Sequence, residues 1–397
     1  MLGNAFNVKI KRGVFEWLVN TSGWSDKELA EKLNYSEKAI AEMRIGRSDV
    51  ELPITKVELL ASAIKRPLSV FFISKPPIEP SIVADFRKLS KNSSKNYSKE
   101  TALAIRKATR LQKISSDLMK SSDSPLIGKE NEYLISGISP EDAAIIERKQ
   151  SNISIEEQIS WKNEYIAYRR WKDWIESKNI FVFQMDIPIE DARGFSLTNI
   201  DPFIIVLSSH DSVRGRIFSL FHEYAHILLR KPAVCNMESY SSGSLEIRKI
   251  ERWCDSFAGS FIVPKAALIE PKQQIEREFI REVVRKISSH YKISELGALV
   301  RLGNLRYIDQ DDYRIEYSKL VNEFELKKVE NQKKKEIKEK QEGGIPGEKR
   351  AINEKGKRFS KFILESSKRG KISEYDVMDY LDIQAKNLSK LHEALNQ

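Results

Sequence analysis

The stretch Ile217–Arg230, IFSLFHEYAHILLR, sets His222, Glu223 and His226 in an HExxH spacing inside a strongly apolar run. Such a run predicts a buried helix. On a helix, residues four apart lie about 40° apart around the axis, so both imidazoles reach one point and Glu223 projects beside it. That point suits a zinc ion. Catalytic zinc takes three protein ligands and keeps one position for water, whose proton a neighbouring carboxylate accepts. The motif therefore makes His222 and His226 metal ligands and Glu223 a general base, and it demands a third ligand. A lone histidine on an apolar helix is ordinarily a core residue, but two of the chain's five histidines flank a glutamate here.

The third ligand is sought in Ile247–Pro264, IRKIERWCDSFAGSFIVP, where Ile247, Ile250, Trp253, Cys254, Phe257, Ala258 and Phe261 recur at helical spacing. Glu251 is the best candidate, with Glu238 and Glu246 as nearby rivals. Asp255 lies four residues on, on the same face as Glu251. HExxH followed by an ExxxD helix resembles the gluzincin pattern. That resemblance implies Glu251 as the third ligand and Asp255 as the acceptor that orients a ligand histidine through its other ring nitrogen.

The 397 residues suffice for two or three domains. Hydrophobic residues at 41% and charged ones at 31% fit a soluble, helix-rich chain. No apolar run is long enough to span a bilayer, and the N-terminus shows no secretory signal. Cys235 and Cys254 are the only cysteines, which gives no disulfide framework and points to the cytoplasm. The net charge of +10 is unevenly spread. Residues 1–80 carry 12 basic against 10 acidic side chains and residues 81–120 carry 10 against 3, so a nucleic-acid backbone or a solvated helical face belongs to the second stretch.

Residues 1 to about 75 read as a bundle of short helices. Ser25–Glu28 forms a capping box opening SDKELAEKL, Asn34-Tyr35 makes a turn, Ser36 starts SEKAIAEMRIG, and a second box, Thr55–Glu58, opens TKVELLASAIKR. This order resembles the XRE-type, Cro/repressor-like helix-turn-helix domain, with SEKAIAEMRIGR as recognition helix. The resemblance implies double-stranded DNA as a partner, with Ser36, Glu37, Lys38, Ala41 and Arg44 facing the groove and Lys27 and Arg47 on phosphates. Glu37, Glu42 and the near-neutral charge keep protein docking as an alternative role for the same module.

Pro76, Pro77 and Pro80 close this segment, a polar loop covers Ser90–Ser98, and helix resumes at Lys99. Residues 121–154 read as short helices joined by turns. A helix follows over IEEQISWKNEYIAYRRWKDWIESKN, with Ile159, Trp161, Tyr165, Tyr168, Trp171, Trp174 and Ile175 as its apolar core face, and then strands IFVFQMDI and PFIIVLSS with RGFSL as a third. A sheet beside the HExxH helix offers an edge to an extended peptide. The order from WKDWIESKNIFVFQ through RIFSLFHEYAHILL and IERWCDSFAGSFIVP to HYKISELGALVRLGNLRYID is similar to the ImmA/IrrE metallopeptidases. The resemblance implies a zinc endopeptidase with ligands His222, His226 and Glu251, base Glu223, and a protein substrate of the repressor or antitoxin type. Such activity serves gene control, stress response or defence against phage and mobile elements. Many members carry Asn at the position of Asp255, and either residue accepts a hydrogen bond. The oxyanion donor stays open among His210, Tyr224 and Tyr240.

The tail reads as a helix-turn-helix-like core pair at 293–308, a charged helix over 316–341, the linker GGIPG (343–347) and two or three helices with Ser373 as a cap, which pack back, dimerise or meet a partner. The expected fold is mainly α with a small β-sheet (α+β). It comprises a five-helix-type helix-turn-helix bundle (1–78), a basic helical linker (79–155), a zincin-like metallopeptidase domain (156–315), a charged helix and linker (316–350) and a C-terminal helical segment (351–397). A DNA-binding regulator with a structural or sensory metal site is the alternative function.

Overall fold

The computed structural model describes residues 6–77, 97–120, 137–230, 233–235, 245–268, 279–323 and 346–396. The chain is mainly helical, has two small sheets among the described residues, and divides into two compact units. One comprises Met1–Arg110 with Asp186–Ala192, the other Leu111–Met185 with Arg193–Gln397. Residues 78–96, 121–136 and 324–345, together with Glu238 and Tyr240, lie outside the described residues, so the expectations placed on them stand as sequence readings.

In the first unit β1 (Asn7–Ile10) leads into α1 (Arg12–Asn20), α2 (Asp26–Leu33) and α3 (Glu37–Ile45), and β2 (Val50–Pro53) precedes α4 (Ile54–Ile64). The Ser25 capping box forms: Ser25 Oγ accepts from Glu28 N at 3.2 Å and Glu28 Oε2 accepts from Ser25 N at 2.9 Å. Asn34 ends α2 in the left-handed conformation, Tyr35 N donates back to Ala30 O at 2.9 Å, and Ser36 caps α3. Two expectations need correcting. The bundle includes an antiparallel β1–β2 ribbon that pairs Val8 with Leu52 and Ile10 with Val50. The Thr55–Glu58 capping box is absent, because β2 runs straight into α4 with Pro53 at the N-cap and no side-chain acceptor. Pairing draws Val50 and Leu52 into the core, so the helix starts one residue before Thr55.

Helix α5 (Lys99–Lys120) begins where the sequence places it. The second unit follows with α6 (Pro140–Ser151), α7 (Ile155–Ser160) and α8 (Glu164–Ser177). The single helix expected through this region breaks at Trp161, because Asn163 Oδ1 accepts from Ile166 N at 3.0 Å and starts a new helix. The break turns Tyr165 outward, 66% exposed, whereas Trp161, Trp171 and Trp174 are buried.

Strands β3 (Ile180–Met185), β4 (Gly194–Leu197) and β5 (Phe203–Ser208) form as expected, and a fourth, β6 (Ala233–Cys235), joins them in the order β3-β5-β4-β6. β3 runs parallel to β5, and β4 is antiparallel to β5 and β6. Between β5 and β6 comes α9 (Val213–Leu228), and α10 (Leu245–Ile262), α11 (Ile280–Tyr291) and α12 (Glu295–Asn304) follow. Ala298, Leu299 and Leu302 of α12 are fully buried, so the expected pair at 293–308 is core packing.

Alternation along β3 divides its side chains between two layers. Ile180 and Val182 join the core shared with α8 and α9. Phe181 and Phe183 face the C-terminal helices α13 (Gly347–Lys355), α14 (Lys357–Lys368), α15 (Glu374–Leu381) and α16 (Leu388–Asn396), their rings edge-on to Phe359 at 5.2 and 5.0 Å. The tail thus packs back on the sheet, and Gly347, expected in a linker, opens α13. Gly356 joins α13 to α14 at φ +81°, where the Glu176 carboxylate occupies the place a Cβ would need. Ser373 caps α15 in a capping box with Asp376.

Candidate metal centre

Helix α9 is buried all round over its C-terminal half, which places it within the core of its unit. Ser212 caps it, accepting from Gly215 N at 3.0 Å, and every residue from Ser219 to Leu228 is buried. Helix α10 is held against it by aromatic packing: Phe221 and Phe261 stack at 4.2 Å, and Trp171 of α8 meets them edge-on at 5.3 and 5.4 Å. That contact fixes the two helices in rotation and brings Glu251 to the histidines.

His222 Nε2 lies 3.2 Å from His226 Nε2 and 3.3 Å from Glu251 Oε2, and His226 Nε2 lies 3.7 Å from Glu251 Oε1. All three residues are buried, and each offers one ligand atom within 4.8 Å of the others. An ion with N and O ligands at about 2.0–2.1 Å in tetrahedral array separates neighbouring ligand atoms by about 3.3–3.4 Å. The edges of 3.2 and 3.3 Å fit that spacing, the third, to the other Glu251 oxygen, is wider at 3.7 Å, and two imidazoles with one carboxylate form a donor set suited to zinc. Glu246 is exposed and outside the cluster, which removes one rival to Glu251.

Asp255 Oδ1 lies 2.8 Å from His222 Nδ1. Donation from Nδ1 leaves the Nε2 lone pair facing the cluster, the orientation a metal needs. Burial alone would discharge His222, but hydrogen bonds with Asp255 and Glu251 and the nearby carboxylates outweigh it and hold its pKa up at about 10. For Glu251 burial acts upward, yet hydrogen bonds from His222 and His226 take its pKa down to about 2. The buried carboxylates thus favour positive charge at this point. Burial, with the carboxylates of Glu251, Glu223 and Asp255, pushes the neighbouring Cys254 thiol well up.

Glu223 is 1% exposed and sits against β4. A Cβ at Gly194 would stand 3.3 Å from Glu223 Oε1 and 2.8 Å from Val206 O, so only glycine lets the strand approach the carboxylate this closely. The sequence reading did not single out Gly194, although a glycine at the head of a short strand is itself a sign of close backbone approach. Gln112, fully buried, steadies the β4–β5 connection, its Nε2 donating towards the carbonyls of Leu197, Ile200 and Pro202 at 3.1, 2.8 and 3.1 Å.

Of the oxyanion candidates, Tyr224 is ruled out. Two residues from His222, it leaves the opposite side of α9. Its hydroxyl donates to Glu147 Oε2 at 2.6 Å, on a carboxylate that also meets Lys178 Nζ at 3.0 Å. His210 is exposed after β5.

In the first unit Lys27, Ser36, Lys38 and Arg47 are exposed, and Ala41 and Arg44 half-buried. Arg44 is tied back to Asp26 at 2.6 Å, and Lys38 stands 3.9 Å from Glu42. The structure sets these side chains on and around α3 without a surplus of positive charge there.

Residues 175–302 match peptidase family M78, described as the IrrE N-terminal-like domain. The match begins within α8, takes in β3 to β5 and both helices of the cluster, and ends within α12. It supports a metallopeptidase of the ImmA/IrrE type over that span. A comparison with curated proteins finds no match to the chain. Among the described residues no helix is long and apolar enough to cross a membrane.

Proposed function

We propose that the protein is a zinc-dependent endopeptidase that cleaves a protein regulator in the cytoplasm. The observation that carries this reading is the convergence of His222, His226 and Glu251 beside a Glu223 buried against a strand. Zinc, when bound, supplies Lewis acidity that polarises the scissile carbonyl and makes water a nucleophile at neutral pH. His222 and His226 present Nε2 to the ion and Glu251 its carboxylate, while Asp255 keeps the Nδ1 proton of His222 in place. Glu223 takes a proton from the attacking water on its carboxylate and delivers it to the leaving amine nitrogen. A regulator of the repressor or antitoxin type is the substrate that the ImmA/IrrE likeness favours, with the first unit as the element that recognises it.

The test compares new protein N-termini by mass spectrometry in cells expressing wild-type or Glu223→Gln protein, with the neighbouring genes present and stress applied. A cut made by wild type alone is expected, with equal zinc content in both proteins. Cleavage by Glu223→Gln at the wild-type rate refutes the assignment.

The α2–α3 pair, two short capped helices joined by a tight turn, favours a second reading as a DNA-binding regulator with a structural or sensory metal site. It predicts an operator footprint that survives Glu223→Gln and disappears with Lys38→Ala and Arg47→Ala.

A further inference from the structure

β4 is the strand that borders Glu223, and its outer edge is covered by the chain itself. Gly194 faces Leu207 on one side and Cys235 on the other, and Ser196 faces Ile205 and Ala233. Ser208 N donates to Arg193 O at 2.9 Å, so the Arg193 carbonyl points towards β5. Backbone groups alternate along an antiparallel strand, so those of Gly194 and Ser196 point the other way, towards β6. These are the free-edge donors and acceptors alongside the metal cluster, and Ala233–Cys235 takes them. β6 has only three residues, about half the usual strand length, so it holds them through few bonds.

An extended polypeptide adds to a sheet edge through the same groups that β6 uses. We propose that Ala233–Cys235 is a built-in occupant of the substrate edge. Substrate binds as an unfolded, extended segment antiparallel to β4 in place of β6, and the resting protein is held back by its own strand. This rests on the peptidase reading, since Glu223 beside Gly194 is what makes that edge the reactive one. A site reached by strand exchange takes a disordered or locally unfolded stretch of a protein and excludes a folded helix or sheet, whose backbone groups are already paired.

The experiment uses the full-length chain with Cys235→Pro, and Ala233→Pro as a second variant. Each proline deletes an N–H that the register directs at β4. Hydrogen exchange at the Gly194 and Ser196 amides should accelerate at least about tenfold, reporting release of the edge. The probe is reduced, carboxymethylated α-lactalbumin, a permanently unfolded polypeptide. An edge that is only fractionally open raises the apparent dissociation constant by that fraction, so zinc-loaded variants should show a KM several-fold below wild type with kcat little changed. Accelerated exchange with an unchanged or higher KM overturns the proposal, as does a kcat loss without the KM fall. Binding of the same polypeptide, carrying a fluorescent label, to Glu223→Gln protein separates the two readings. If this probe is not cleaved in a Glu223-dependent way, binding alone decides strand exchange, and the proline variants in the Glu223→Gln background should still bind the probe several-fold more tightly. Equal binding there overturns strand exchange itself.

Discussion

Replacing Asp255 with alanine deletes the acceptor 2.8 Å from His222 Nδ1 while leaving the three ligand atoms in the chain. The Asp255 side chain is 36% exposed, so solvent screens much of its charge. What the replacement chiefly removes is orientation: the His222 ring is free to rotate and to carry its proton on Nε2, the atom that faces His226 and Glu251. Losing such a partner weakens metal binding by about 10- to 100-fold. At about 1.4 kcal/mol per tenfold, that is about 1.4–2.8 kcal/mol. Asp255→Asn keeps an oxygen acceptor and should stay within about threefold of wild type, because geometry and not charge carries the effect. Glu251→Ala should cost more than about 100-fold, since it removes a ligand and leaves two buried imidazoles 3.2 Å apart without their anion. Competition for zinc against a chromophoric chelator measures all three. Alanine at 255 binding as tightly as wild type would refute the orienting role, and asparagine as weak as alanine would show that charge matters more than the acceptor.

Burial of Glu176 beneath the α13–α14 junction raises its pKa to about 7 despite the pull of Lys172. A raised carboxyl binds its proton more tightly in the folded state, so its contribution is greatest below about pH 4.5 and is lost as pH rises to about 7. Across that window the loss is up to about 3 kcal/mol. Glu176→Gln should therefore flatten the fall in stability between pH 4.5 and 7, measured by urea unfolding at several pH values, and an unchanged slope would count against it. Phe359 is fully buried against Phe181 and Phe183. Phe359→Ala should cost about 3–5 kcal/mol, read from the same unfolding curves, and a loss below about 1 kcal/mol would mean that the C-terminal helices do not seal the sheet.

How much could be read in advance depended on how local the determining contacts are. His222, Glu223 and His226 were legible because one helical period sets their geometry. Glu251 was harder, since spacing along the chain leaves Glu238 and Glu246 open, and what brings Glu251 to the histidines is Phe221, Phe261 and Trp171 turning α9 and α10 towards each other. The sequence does not choose an oxyanion donor among His210, Tyr224 and Tyr240, and the same helical period that joins the histidines sends Tyr224 to Glu147 on the far side. β6 had no signal at all, because three residues carry no alternation. The alternation of β3 was visible, but nothing local says that the Phe181 and Phe183 face is covered by Phe359 from the far end of the chain. That distant contact bears on the site. β3 is the neighbour of β5, β5 holds β4 in register, and β4 brings Gly194 to Glu223. The C-terminal helices therefore support the strand that Glu223 packs against, and damage to their packing should reach Glu223 through the sheet.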